Sequence, residues 1–141
     1  MILGRWTQSR RTGYVGDAGL LDGTYFETNP GLRDVFEAMP ADTRREVFWA
    51  INERVLEMQE ASGMNFVHTL RGLRPEDALA DASAIDLLAL GEPTAALHSL
   101  QDVDLATNAL PFRMLEAQWL LEHGYIYEVD LESQLIRWLH P

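Results

Sequence analysis

The residues best equipped for chemistry in this chain are its four histidines, His68, His98, His123 and His140. None stands at HxxxH or HxH spacing, so no helix or strand presents two imidazoles side by side as metal ligands. His98 with Asp102 and Asp104 is the one local set with ligand chemistry, an imidazole and two carboxylates that could hold a divalent cation weakly. The glycine and closing glutamate of a calcium-binding EF-hand loop are missing there. Glu122-His123 beside Gly124 has the make-up of an acid–base pair. A helix C-terminus, however, favours histidine through its dipole alone.

Other chemistries find fewer candidates. Cysteine is absent, which removes thiolate nucleophiles, disulfides and cysteine metal sites together. Ser62, Ser83, Ser99 and Ser133 lie near expected turns or helix ends, with no GxSxG turn. Neither GxGxxG nor a Walker loop is present, and Gly13–Gly16 and Gly19–Gly23 read as glycine-bearing turns. No catalytic residue, cofactor or metal is therefore expected.

Charge is the more informative feature. Residues 1–74 carry ten acids and nine arginines, whereas residues 75–141 carry twelve acids against Arg113 and Arg137. Lysine is absent, and the formal net charge is −11. Between Arg74 and Arg113 stand Glu76, Asp77, Asp81, Asp86, Glu92, Asp102 and Asp104 without one basic residue. Such an excess makes a field that steers basic partners, or keeps a solvated face soluble.

Direct nucleic-acid binding is not expected. Phe112–Leu139 has the helix-then-hairpin order of a winged helix, but Glu116, Glu122, Glu128, Asp130 and Glu132 oppose phosphate contact. The expected partner is a basic protein surface, such as the groove of a nucleic-acid-handling enzyme or toxin, held by the seven acids above. In size and acidity, and in no motif, the chain resembles immunity proteins that neutralise toxins and phage-encoded inhibitors of host defence. That resemblance implies a non-enzymatic inhibitor that imitates a phosphate backbone. Two other readings stand beside it: an accessory or assembly protein acting through apolar surface, and an enzyme built on carboxylates and a histidine. For the first of these Trp49 is the candidate contact, because it lies about 100° from the apolar stripe centred on Ile51, near Arg45.

The elements that must position these residues read as one α+β domain over 1–141, five or six helices on a small antiparallel sheet of N- and C-terminal strands. Ile2–Thr7 and Gly23–Thr28 are expected strands, with Gly13–Gly16 a third. A short helix over 31–39 follows Asn29-Pro30. A long helix begins at a Thr43–Glu46 capping box and ends at Gly63. Its expected stripe is Val47, Phe48, Ile51, Val55 and Met58. Met64–Leu73, apolar at Met64, Phe66, Val67, Leu70 and Leu73, is an expected short helix. Pro75 starts a helix that Gly91 stops, with Leu79, Ala82, Ile85 and either Leu88 or Leu87 inward. Pro93–Leu100 is a short helix and Gln101–Asn108 a loop. The last helix, closed by Gly124, has Phe112, Leu115, Trp119 and Glu122 as its stripe. Tyr125–Asp130 and Gln134–Leu139 then form a hairpin. No stretch approaches the ~18 apolar residues of a membrane helix, and no secretory signal is recognised, so the cytoplasm is the expected location.

Overall fold

A computed structural model describes residues 1–4, 21, 23–24, 32–101, 103 and 109–141. The expected strand at Gly13–Gly16, the ends of those at Ile2–Thr7 and Gly23–Thr28, and both Asp102 and Asp104 lie outside the described residues.

Described strands and helices give an α+β fold. The strands are β1 (Ile2–Leu3), β2 (Phe66–Thr69), β3 (Ile126–Asp130) and β4 (Leu135–Leu139), in the order β1-β2-β4-β3. β1 runs parallel to β2, and the other neighbours are antiparallel, so the sheet is mixed. The five described helices are α1 (Arg33–Glu37), α2 (Ala41–Ala61), α3 (Pro75–Ala89), α4 (Pro93–Ser99) and α5 (Phe112–Glu122).

The sheet departs from expectation in its middle. Met64–Leu73 is not helical: Phe66–Thr69 is the strand β2 that joins the N-terminal strand to the C-terminal hairpin. Its period-two pattern is concealed because one inward residue is His68, only 4% exposed. Cross-strand register places Phe66 opposite Trp138 and His68 opposite Ile136, so these four side chains share one sheet face. All but His68 are fully buried there.

Helix boundaries follow local chemistry. α3 opens with proline at its first position after the extended Arg74, where a missing N–H is harmless. Glu76 and Asp77 occupy its positive end. It stops at Gly91, whose φ of 77° suits a residue without Cβ, and Pro93 restarts the chain as α4. α2 starts earlier than a Thr43 cap would place it. Ala41 is already helical, Pro40 precedes it, and no side chain caps the end. Arg44 instead ties α1 to α2, donating through Nε to the Phe36 carbonyl at 2.9 Å and through Nη2 to that of Met39 at 3.0 Å.

Three helix faces depart from the expected phase. On α2 the fully buried residue is Leu56, whereas Met58 is 56% exposed. On α3 Ala82, Ile85 and Leu88 face inward as expected, but Leu79 is exposed and Asp81 is buried. On α5 the buried face is Arg113, Met114, Glu116, Ala117, Trp119 and Leu120, so Glu122 and Leu115 are not its centre. Leu56, Phe66, Ile85, Met114, Leu120, Ile136 and Trp138 form the closed centre of the core.

Candidate functional site

Two sets of polar groups emerge from this packing, one inside and one outside. The inner set is a chain of hydrogen bonds between sheet and helices. Trp138 on β4 donates its indole Nε1–H to Nδ1 of His68 on β2 at 2.9 Å. An indole nitrogen can only donate, so Nδ1 must accept and the neutral ring carries its proton on Nε2. That nitrogen donates to Oε2 of Glu116 on α5 at 3.1 Å. Asn52 of α2 donates to the other oxygen, Oε1, at 2.8 Å. Both oxygens of a nearly buried carboxylate thus receive donors, which offsets its desolvation.

Beside this chain Arg113 grips Asp81 with two bonds, Nε to Oδ2 at 2.9 Å and Nη2 to Oδ1 at 3.1 Å. Paired geometry of this kind suits guanidinium and carboxylate and holds α5 against α3. A cavity of about 10 Å³ lies between the two groups, bordered by His68, Thr69, Asp81 and Arg113. It has room for about one water molecule. His68 and Glu116 tie β2 to α5 within the core.

The outer set consists of carboxylates. Asp81 leaves it, because the side chain is buried against Arg113 and is not available to a partner. Asp77 and Glu76 are drawn to Arg74, at 3.1 and 3.6 Å. Asp86 accepts from the Tyr127 hydroxyl at 2.5 Å, linking α3 to β3. Partial burial, aided by Asp86, pushes the Tyr127 phenol up to about 12. Glu92 stands exposed at the start of α4.

Glu122, Glu128 and Glu132 were not among the expected contacts, although all three are exposed. The signal that could have found them is the scarcity of arginine. Arg113 is committed to Asp81, and Arg137 bonds Asp130 at 3.1 Å. Among the described residues no cation lies within ion-pair distance of Asp86, Glu92, Glu122, Glu128 or Glu132. Leu88, Ala89, Gly91, Pro93, Gln118 and Leu121 line an open groove of about 320 Å³. Glu122 borders it, Glu92 sits between two of its lining residues, and Asp86 is a half-turn up α3.

Trp49 is not a free contact. It is partly buried against the core, with its ring 6.3 Å from that of Phe112. Arg45 lies over the other aromatic of this pair, 5.1 Å from the Phe112 centroid, and donates to the Leu110 carbonyl. This packing fastens the start of α5 to α2.

Of the remaining histidines, His123 and His140 both meet Glu60, one at its carboxylate and the other at its backbone carbonyl. His98 is exposed at the end of α4. His123 stacks on Trp119 at 3.7 Å and meets the Glu60 carboxylate at 2.9 Å, while Nδ1 of His140 lies 2.9 Å from the Pro141 carbonyl. Among the described residues, no three histidines or carboxylates converge as metal ligands. No described helix is long and apolar enough to cross a membrane.

Comparison with protein-family models, curated proteins and solved structures yields no match.

Proposed function

We propose that this is a non-enzymatic acidic binding protein that holds or blocks a basic surface of a partner protein. The partner class is a nucleic-acid-handling enzyme or a toxin, whose groove the carboxylates would occupy in place of phosphates. One observation carries this reading: the second half spends both of its arginines internally, on Asp81 and Asp130. Among the described residues, the exposed carboxylates of Asp86, Glu92, Glu122 and Glu132 have no cation at ion-pair distance, and Glu128 faces Arg137 across the strands while that guanidinium bonds Asp130.

The energetic logic is simple. Like charges repel across the surface, and salt screens them over about 8 Å at physiological ionic strength. A basic partner relieves that repulsion and arrives faster through steering. The groove beside Glu92 and Glu122 adds apolar wall at Leu88 and Leu121, which favours arginine, whose stem and planar head pack on apolar surface.

Binding of an end-capped nona-arginine peptide, followed by calorimetry from 20 to 300 mM salt, tests the proposal. Affinity should fall by about a hundredfold over that range. The variant Glu92→Gln, Glu122→Gln, Glu128→Gln and Glu132→Gln should lose most of the affinity at low salt. Equal affinity for the parent and the variant would remove the proposal's basis.

A further inference from the structure

We infer that the free edge of β3 is a docking strand for an extended cationic segment, an inference that rests on the acidic-partner reading and gives it a register. β3 is the last strand in the order β1-β2-β4-β3, and among the described residues no strand pairs with its outer side. Alternate amides and carbonyls of β3 point away from β4 and are open to a fifth strand.

The side chains along this edge state what would fit. Ile126, Glu128 and Asp130 share one face, opposite Leu139, Arg137 and Leu135 of β4. Ile126 is 68% exposed and its neighbour Leu139 is 40% exposed, so an apolar contact is unfilled at one end of the edge. Asp130 is already held by Arg137 and by the Ser133 backbone. Glu128, two residues along, faces Arg137 across the strands, but among the described residues no cation lies at ion-pair distance from it. On the other face Tyr127 is engaged with Asp86, while Val129 is 38% exposed. An incoming strand therefore meets a carboxylate and an isoleucine two positions apart. The complementary segment carries arginine or lysine at one position and an apolar side chain two positions away.

A second copy of this chain is a poorer occupant. In the register that pairs the whole strand antiparallel with itself, Glu128 stands opposite Glu128, and like charges directly opposed are destabilising. Glu128 thus guards the edge against self-pairing while leaving it open to a basic strand.

The probe is an end-capped peptide of two Arg-Thr-Val-Thr repeats, compared with its isomer N-methylated at alternate amides, which keeps the charge but cannot complete a strand. The parent peptide should bind about tenfold tighter than the methylated one, and slow hydrogen exchange at amides between 126 and 130. Glu128→Arg, checked for native circular dichroism, should weaken it by a similar factor, and Glu128→Gln by less. Equal binding of the two peptides, or protection elsewhere with β3 unchanged, would overturn strand docking while leaving the acidic reading intact. Methylation-sensitive binding that ignores Glu128→Arg and salt would instead overturn the cationic occupant. A salt-insensitive dimer with protected β3 amides would overturn it in favour of self-pairing.

Discussion

The indole of Trp138 determines which nitrogen of His68 carries the proton, across a 2.9 Å bond between neighbouring strands of one sheet. Nitrogen-detected NMR on His68 should show a neutral ring protonated at Nε2. Replacing Trp138 by phenylalanine removes the donor, and His68 should then sample both tautomers. A ring protonated at Nδ1 in the parent protein would contradict the hydrogen-bond chain to Glu116.

Glu116 should be costly to strip of its donors. His68→Phe leaves its Oε2 without a partner in a nearly closed site, and stability should drop by about 1.5–3 kcal/mol in urea unfolding. Glu116→Gln keeps one acceptor oxygen and turns an NH2 donor toward the other incoming N–H. It should cost less, because no buried charge is left behind.

The Arg113–Asp81 pair offers a sharper contrast. Arg113→Met removes the guanidinium from a carboxylate that is 3% exposed, and should cost about 3–5 kcal/mol. Adding Asp81→Leu should restore much of that loss, since an apolar pair of similar volume needs no desolvated charge. Failure of the double variant to recover would assign the pair a larger net contribution than buried ion pairs usually make.

These same residues explain how far the fold was legible in the sequence. Helix α3 could be bounded because Pro75 and Gly91 punctuate it. The hairpin could be placed because a short polar turn separates two alternating segments. Periodicity failed where polar residues occupy inward positions. His68 hid strand β2, while Arg113 and Glu116 shifted the apparent stripe of α5. Asp81 was read as surface charge because its partner stands 32 residues away, and sequence spacing carries no trace of that contact. For the candidate site, the charge imbalance was legible, but which carboxylates remain unpaired depended on where each arginine goes.

Tyr127 supplies a pH-dependent test. Its phenol is pushed up to about 12 by burial and then by the Asp86 carboxylate. The folded state therefore holds the phenolic proton more tightly than an unfolded chain, where the ordinary value is about 10. The associated stability is complete below pH 10 and is lost as pH rises toward 12. Ring-carbon NMR titration should place the Tyr127 midpoint near the upper value. Asp86→Asn should bring it part of the way down, with burial sustaining the remainder.

The proposed binding face is made of exposed carboxylates that have no cation at ion-pair distance among the described residues. Paramagnetic relaxation by paired cationic and anionic nitroxides reports the electrostatic potential at each amide, and so measures this directly. Amides near Glu92, Glu122, Glu128 and Glu132 should attract the cationic probe far more than those around Arg44 and Arg54. Similar attraction at both places would mean that the negative charge is neutralised or spread evenly, and would contradict the account.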